Sequence, residues 1–490
     1  MTLAQTGGGY FKLFSDEDIE RIHCATLDVL ENTGVRFTSE EARRILADAP
    51  ARVREDGVVY LRSDAVERAI RSTPPQFTRY PLDRVRPPVR TGGDHFHMSP
   101  SSLILNVLDL ETGRQRPGTL RDMRDYLRLG DALPNFELAN PGIWAQDAPP
   151  ELFHAYYAAG IHMNTGKCTP GGDILSKQIA DDVMLLHAIT LGSEEEIGRR
   201  KTYHFTACPV SALSWGENVV AFIEAAKRGA PVGIMPMPFA GSCHPVTLAG
   251  LIVQMNAEIL AALVLVQTVN PGNPVLYQVF PGVMDMRAAT HSFGCPETAL
   301  VCAGGAQLAR HYRVPVDTIT GYIDSKLPDA QAGYEKMMVA LLPALAGSNV
   351  NSLYGGSLEF GETISFEQLV IDNEIAGNVL RCRAGIRVSE EHLAVDLIAK
   401  VGHGGNYLME EHTLAHFREE IFDARLADRR RRAAWEQDGG LDMRQRAAAE
   451  AKRILAEHHP SPIDAHARRE LEKAIRSMAK RENCEFVPLE

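Results

Sequence analysis

Apolar and polar positions alternate in blocks between about residue 100 and residue 380. Short apolar runs of strand length are separated by longer segments in which apolar residues recur with helical periodicity. The runs predict eight strands, at residues 102–108, 136–143, 167–171, 202–210, 231–239, 274–281, 316–323 and 348–354. The segments between and after them predict eight helices, at residues 119–132, 150–163, 176–191, 214–228, 246–269, 296–312, 329–346 and 365–380.

This alternation predicts the fold class. Strands that alternate with helices indicate a parallel sheet covered by helices. Eight repeats in about 280 residues fit an α/β fold of the (β/α)₈ TIM-barrel type in number and size. A doubly wound open sheet is the alternative, although no Gly-x-Gly-x-x-Gly fingerprint follows a predicted strand. We therefore predict a (β/α)₈ barrel.

Segments with other patterns flank the predicted barrel. Residues 15–34 carry a helical apolar stripe that Ser15 can cap and Gly34 can end. Residues 53–61 contain an Asp-Gly turn, which is typical of a hairpin. After residue 388 the chain is charged and helical in pattern. We predict three domains: N-terminal helices and a hairpin at 1–98, the barrel at 99–385, and a C-terminal helical extension at 386–490.

Composition limits the classes of function. The chain has 490 residues, 45% of them apolar, and a formal net charge of −12. A negative chain is unsuited to binding nucleic-acid phosphates, and the longest apolar stretch, residues 259–266, is too short to span a bilayer. The N-terminus lacks the basic-then-apolar order of a signal peptide, and the eight cysteines include no Cys-x-x-Cys pair. We expect a cytoplasmic protein with reduced thiols that binds neither nucleic acid nor membrane.

Residues able to do chemistry concentrate where the predicted strands end, which is where active sites form in parallel barrels. The seventh junction, residues 321–335, reads Gly-Tyr-Ile-Asp-Ser-Lys-Leu-Pro-Asp-Ala-Gln-Ala-Gly-Tyr-Glu. It follows an apolar run and precedes a long helical pattern. We predict Tyr322, Asp324 and Gln331 in this junction as catalytic-site residues.

Aromatic side chains are frequent at the same strand ends. A cage of aromatic faces with few fixed charges suits a quaternary ammonium group, which is attracted to the rings without hydrogen bonding. Packing in a barrel core explains any one of these residues equally well, and a His inside an apolar strand is more often a core residue than a ligand. The predicted substrate-binding residues are Phe239, Tyr277, Phe280, Tyr354, His204 and Glu359.

Two thiol–imidazole pairs follow the fifth and sixth predicted strands. Cys243 with His244, and Cys295 with His291, are residue types that bind zinc. Their spacing matches no compact zinc motif. We therefore expect no tightly bound metal.

Several segments resemble the trimethylamine methyltransferase family of corrinoid-dependent methyltransferases. The more specific are residues 321–336 and residues 366–374, which read Phe-Glu-Gln-Leu-Val-Ile-Asp-Asn-Glu; residues 245–250, 296–310 and 426–435 also fit. The resemblance extends nearly end to end. It implies a (β/α)₈ barrel that moves a methyl group from an amine to Co(I) of a corrinoid (cobalamin) carried by a separate, cognate corrinoid protein.

The resemblance also bears on the substrate. Archaeal trimethylamine enzymes of the family carry pyrrolysine in the barrel, whereas this chain has only standard residues. It is therefore similar to the non-pyrrolysine branch, which demethylates quaternary amines such as glycine betaine. A quaternary amine leaves as a neutral tertiary amine and needs no proton, so catalysis would be positioning. Tyr322, Asp324 and Gln331 then suit the wall of a pocket for a methylated cation better than acid–base catalysis.

Two other functions stay open at this point. A metal-dependent barrel hydrolase or lyase would use His97, His204 or the set of Cys243, His244 and Cys295. A non-catalytic protein would bind betaine without turnover. Assembly of copies of the chain through the C-terminal helices is also left open.

Overall fold

The structure is a computed structural model that describes residues 10–100 and 103–489. Ser15 caps the first helix with a capping box, and a π-helical turn at Val29–Thr33 then ends at Gly34, as the apolar stripe predicted. The Asp-Gly turn joins an antiparallel hairpin, which is also confirmed. The elements that precede the barrel are α1 (Asp16–Asp28), β1 (Val35–Phe37), α2 (Glu40–Ala47), β2 (Ala51–Val53), β3 (Val58–Leu61), α3 (Ser63–Ser72), β4 (Gln76–Arg79) and β5 (Val89–Gly92).

The following section alternates strands with helices. Its strands are β6 (His97–Ser99), β7 (Leu103–Ile104), β8 (Asn106–Leu108), β9 (Gln115–Pro117), β10 (Gly142–Ile143), β11 (Thr169–Asp173), β12 (Tyr203–Ala207), β13 (Ser214–Trp215), β14 (Val232–Ile234), β15 (Phe239–Ala240), β16 (Val275–Val279), β17 (Gly282–Asp285), β18 (Thr290–Ser292), β19 (Val316–Ile319), β20 (Val350–Ser352), β21 (Ser357–Leu358) and β22 (Thr363–Ser365). Its helices are α4 (Leu120–Ala132), α5 (Phe153–Asn164), α6 (Lys177–Leu191), α7 (Glu195–Arg200), α8 (Val220–Lys227), α9 (Leu248–Val269), α10 (Pro296–Tyr312), α11 (Ala330–Ala346) and α12 (Phe366–Ala384).

Seven strands form one parallel sheet in the order β11-β12-β14-β16-β19-β20-β6. The segment 137–139 lies between its two edges. The backbone N–H of Glu137 donates to the carbonyl of Met98 at 3.2 Å, and that of Ala139 donates to the carbonyl of Cys168 at 3.0 Å. With the seven strands, this segment completes a set of eight and closes the sheet into a barrel. The predicted (β/α)₈ fold is thereby confirmed.

The first barrel strand is not where the sequence predicted it. Residues 103–108 of the predicted strand form β7 and β8, which pair with β10, β9 and β22 rather than with the barrel strands; residue 102 lies outside the described residues. Instead, β6 pairs with β20 and holds the first position. Three residues followed by Pro100 are too short a run to produce a clear apolar pattern. β6 spans the predicted boundary between residues 98 and 99, where the N-terminal domain was expected to end. The division into three domains stays a prediction.

Helix α9 is the most apolar helix of the barrel layer. Its length and composition would allow it to cross a membrane, but 78% of its apolar core segment is buried within the protein. The N-terminal helices α1, α2 and α3 pack on it from outside. We therefore assign α9 to the core of a globular protein.

The chain after α12 is helical. Helix α17 packs on α4 and α12, and α18 packs on α5 and α6. An ion pair between Arg481 and Asp182 joins α18 to α6. The helices of this section are α13 (Glu390–Leu393), α14 (Val395–Val401), α15 (Glu411–Glu420), α16 (Arg432–Gln437), α17 (Met443–Glu457) and α18 (Ala465–Glu482).

Candidate active site

A cavity of about 350 Å³ lies inside the barrel, toward the carboxyl ends of the strands. Alternate residues of a strand face the same side, so five of the strands and their extensions each supply a deeper side chain and a second one nearer the mouth. The pairs that line the cavity in this way are His204 and Thr206, Met235 and Met237, Gln278 and Phe280, Asp317 and Ile319, and Ser352 and Tyr354.

The mouth of the cavity has an aromatic wall made of Phe280, Tyr322 and Tyr354. The rings of Phe280 and Tyr354 are stacked, with centroids 5.2 Å apart and an angle of 19° between their planes. The ring of Tyr322 lies 4.3 Å from that of Tyr354 and 5.2 Å from that of Phe280. Phe293 supports the wall from behind, edge-on to Tyr322 at 5.4 Å. The structure thus brings together three of the residues that the sequence predicted.

The backbone around the wall is held in an unusual conformation. Tyr354 has φ 43°, in the left-handed region that side chains rarely occupy. Its carbonyl accepts a hydrogen bond of 2.9 Å from the buried ammonium of Lys336. Gly321, just before Tyr322, has φ 86°, and a Cβ there would collide with the carbonyl of Leu353. These contacts fix where both tyrosine rings point.

The floor of the cavity is polar and carries the carboxylate of Asp317. Gln278 Nε2 donates to Asp317 Oδ2 at 2.9 Å, and Ser352 Oγ donates to Oδ1 at 2.9 Å. Thr206 Oγ1 donates to Gln278 Oε1 at 3.2 Å. Burial raises the pKa of Asp317 to about 6, in spite of these hydrogen bonds and the charge of Arg79, which lower it. At neutral pH the floor is therefore mostly anionic.

Arg79, from β4, closes the opposite end of the barrel. Its side chain is fully buried, and Nη2 donates to the carbonyls of Thr169 and Thr202 at 2.9 and 3.2 Å. The same nitrogen lies 3.2 Å from His204 Nδ1. Burial and the positive charge of Arg79 hold the pKa of His204 well below its ordinary value. His204 therefore lines the cavity as a neutral imidazole.

Two of the residues predicted as catalytic, Asp324 and Gln331, hold hydrogen bonds that connect segments of the chain. Asp324 accepts hydrogen bonds from Ser292 Oγ at 2.5 Å and from the backbone N–H of Phe293 at 3.0 Å, which anchors the segment after β18. Gln331 donates to Glu335 Oε1 at 2.7 Å, and Glu335 Oε2 accepts from the N–H of Asp324 at 2.9 Å. Neither Asp324 nor Gln331 lines the cavity.

Three of the residues predicted to bind substrate lie outside the lining. Tyr277 points to the helix layer, where its hydroxyl donates to Asn256 Oδ1 at 3.0 Å. The carboxylate of Glu359 accepts hydrogen bonds from Gln115 and Thr363. The ring of Phe239 packs behind the aromatic wall, 5.8 Å from Phe293. By contrast, His204, Phe280 and Tyr354 are placed at the cavity.

The sequence reasoning missed the polar floor. Asp317 and Gln278 lie within apolar runs, whose pattern predicts strands and marks no polar site. Asp317 stands two residues before Ile319, which the sequence did not mark as a site residue. Gln278 stands two residues before Phe280, a predicted substrate-binding residue, and so faces the same side, which was a usable signal. Ser352 stands in the same relation to Tyr354.

The cysteines and histidines whose types suit zinc do not come together in one site. Cys295 Sγ lies 3.4 Å from Thr298 Oγ1, whereas Cys243 contacts His244 in a different loop. His97 Nε2 donates a hydrogen bond to the carbonyl of Arg90. Within residues 10–100 and 103–489, no group of three or more His, Cys, Asp or Glu is placed to hold a metal ion.

Comparison with protein families and curated proteins identifies relatives over nearly the whole chain. The family described as trimethylamine methyltransferase (MTTB) matches residues 4–483. The trimethylamine methyltransferase MttB of Desulfitobacterium hafniense is 35% identical over 460 residues, 92% of this chain and 90% of that protein. The glycine betaine methyltransferase of Desulfitobacterium hafniense is 33% identical over 457 residues, 93% of this chain and 94% of the relative.

An archaeal relative and solved structures extend the comparison. The trimethylamine methyltransferase MttB of Methanosarcina thermophila is 33% identical over 473 residues, 94% of this chain and 95% of that protein. The Methanosarcina barkeri monomethylamine methyltransferase MtmB superposes with a TM-score of 0.51 at 12% identity, covering 92% of this chain and 95% of the other. A hydroxylamine complex of MtmB gives the same TM-score and coverage at 11% identity. These structures share the fold of this chain.

Proposed function

The chain belongs to the trimethylamine methyltransferase family, and from this premise we propose that it moves a methyl group from a methylated amine to Co(I) of a corrinoid carried by a partner protein. The observation that carries the proposal is the position of the Asp317 carboxylate beneath the aromatic wall of Phe280, Tyr322 and Tyr354. This combination suits a methylated ammonium cation.

The recognition follows from charge and polarisability. Aromatic faces attract a methylated cation, which offers no N–H for strong hydrogen bonds. Met235 and Met237 add polarisable surface that adapts to methyl groups. Asp317 supplies the negative charge in an environment where water does not screen it fully. The cavity therefore favours a cation over a neutral molecule of the same shape.

The bond changes require little acid–base chemistry. The methyl carbon changes its bond from nitrogen to cobalt, and the electron pair of the broken C–N bond stays on nitrogen. With a quaternary substrate the amine leaves neutral, so no proton is needed. The neutral His204 and the hydrogen-bonded Asp317 are consistent with this requirement, since neither is poised to deliver a proton to the mouth. Catalysis would then depend on orientation of one methyl group.

The direction of approach is set by the barrel. Arg79 fills the amino-terminal end, so a large methyl acceptor has access from the mouth, past Tyr322 and Tyr354. We infer that the corrinoid protein docks over the carboxyl ends of the strands. A cytoplasmic location is part of the same proposal.

The lining also bears on which amine is used. None of the described residues that line the cavity is Lys or Arg. A substrate carboxylate, as in glycine betaine, would lack a cationic partner and would approach Asp317. The lining therefore favours a methylated ammonium ion whose remaining substituent is uncharged.

The test is a methylation assay with the purified protein, a reduced corrinoid protein and a panel of amines. The panel contains trimethylamine, tetramethylammonium, choline and glycine betaine, and the cobalt absorption spectrum reports the methyl transfer. We expect transfer from at least one panel member, and faster transfer from choline or tetramethylammonium than from glycine betaine. Binding of an amine by calorimetry with no cobalt methylation would instead favour a non-catalytic binding protein. If the protein neither binds nor demethylates any amine of the panel, the proposal is overturned.

A further inference from the structure

Three side chains outside the cavity form a line from a thiol to a buried carboxylate. Cys243 Sγ lies 3.2 Å from His244 Nδ1. On the other side of the ring, His244 Nε2 lies 3.4 Å from Glu258 Oε2. This last contact is an ion-pair distance without a hydrogen bond. A thiol hydrogen-bonded to an imidazole, with a carboxylate near the far side of the ring to stabilise its positive charge, resembles the arrangement that activates cysteine nucleophiles.

The surroundings hold this line in place. The side chains of His244 and Glu258 are 3% and 1% exposed. The other carboxylate oxygen of Glu258 accepts hydrogen bonds from the backbone N–H of Leu213 at 2.8 Å and from Gln254 Nε2 at 3.2 Å. Helix α9 carries both Gln254 and Glu258, so the carboxylate rests on a rigid element. The imidazole is held by burial and by its contact with the thiol, with Nδ1 facing Sγ.

Cys243 itself is accessible. It is partly exposed, and it lies in the loop between β15 and α9, where Ser242 and Val246 are exposed. Its Sγ is 3.8 Å from the carbonyl oxygen of Met237, whose side chain lines the cavity. A group attached to Cys243 would therefore sit beside the barrel mouth.

We propose that Cys243, His244 and Glu258 form a reactive-thiol site that takes low-molecular-weight disulfides. The Cys243 proton passes to His244 Nδ1, and Sγ attacks one sulfur of the disulfide. The disulfide S–S bond breaks as the new S–S bond to Cys243 forms. The other half leaves as a thiolate and takes the proton from His244, so no further oxidant is required. Excess thiol reverses the step.

The experiment measures thiolation of each cysteine in the full-length protein. The protein is incubated with oxidised glutathione, quenched with acid at a series of times, and analysed by peptide mass spectrometry. Cys24 and Cys382, which are exposed, serve as reference thiols in the same molecule. We expect Cys243 to react about tenfold faster than either reference. If Cys243 reacts no faster than they do, the proposal is overturned, whatever any variant does.

Variants separate activation from exposure. His244→Gln should bring the rate of Cys243 down to that of Cys24. Glu258→Gln should lower it by about threefold, because the protonated imidazole loses the negative charge beside it. His466→Gln, which changes an exposed histidine on α18, should leave the rate unchanged. Circular dichroism melting identifies variants that fold. A folded His244→Gln variant with an unaltered rate at Cys243 would contradict the proposal.

Discussion

The Nζ atom of Lys336 lies 3.1 Å from Oδ2 of Asp372, and both side chains are fully buried. Lys336 ends the segment 321–336, and Asp372 lies in the segment 366–374, so the pair joins the two most distinctive stretches of the sequence. Lys336 also donates to the carbonyl of Tyr354 at 2.9 Å, and Asp372 accepts from the N–H of Gly356 at 2.7 Å. The ion pair therefore holds the loop that carries one ring of the aromatic wall.

Loss of one partner of this pair should be costly. Lys336→Met leaves a buried carboxylate without its counter-charge, and we expect a loss of about 3–5 kcal/mol in the free energy of unfolding, measured by urea titration. The double variant Lys336→Met with Asp372→Leu should recover part of it, since no charge stays buried. The matched control is Lys12→Met, which removes an exposed pair with Asp16 and should leave stability unchanged. Equal effects of the two single variants would contradict this role for Lys336.

Asp317→Asn should weaken binding of a methylated ammonium ion by about tenfold or more at neutral pH, because it removes the negative charge of the floor. Calorimetry with the amine and with its neutral carbon isostere measures this, and only the amine should be affected. The pKa of Asp317 is raised to about 6, so affinity of the unaltered protein should rise as pH increases through that value. Equal loss for the isostere would indicate a change of shape rather than of charge.

The same raised pKa has a consequence for stability. The folded protein binds the Asp317 proton more tightly than the unfolded chain does, so this group favours folding at acid pH. That contribution is lost as pH rises from the ordinary value of 3.8 through about 6. The stability of Asp317→Asn relative to the unaltered protein should therefore increase over that range, as urea titrations at a series of pH values can measure. A constant difference would contradict the raised pKa.

The aromatic wall predicts a contrast between two substitutions of Tyr322. Tyr322→Phe keeps the ring face and should retain amine affinity, whereas Tyr322→Leu should weaken it by about tenfold. Tyr277→Phe is the control, because it removes a hydroxyl in the helix layer and should lower stability without changing amine affinity. If Tyr277→Phe weakened amine binding more than Tyr322→Leu, the placement of the site would be wrong.

Asp324→Ala should loosen the segment after β18 by removing its anchor at Ser292 and Phe293. We expect faster amide hydrogen exchange at residues 290–295 and a loss of about 1–3 kcal/mol in stability. Methyl transfer should fall by the same factor at every pH. A shift in the pH profile, with exchange unchanged, would instead indicate that Asp324 acts as an acid–base catalyst.

The sequence by itself determined the kind of fold and most of its elements. The apolar pattern predicted α10 at its observed bounds, and the turn of the β2–β3 hairpin was readable from Asp56 and Gly57. These features depend on neighbours within a few residues, which a single sequence displays. The resemblance in residues 321–336 and 366–374 also indicates the family from residue identities alone.

Only the tertiary structure decided what those segments do. Asp317 lies in the seventh barrel strand, β19, and Asp324 lies in the segment that follows it. One carboxylate enters the cavity, whereas the other accepts a hydrogen bond from the backbone of a different loop. Tyr277 and Gln278 are adjacent, so their side chains lie on opposite faces of the sheet. Closure of the barrel decides that Tyr277 faces the helix layer and Gln278 faces the floor of the cavity. Closure through segment 137–139 and the entry of Arg79 from β4 join residues far apart in the chain. Such partners are set by the register and closure of the sheet, which no local pattern encodes.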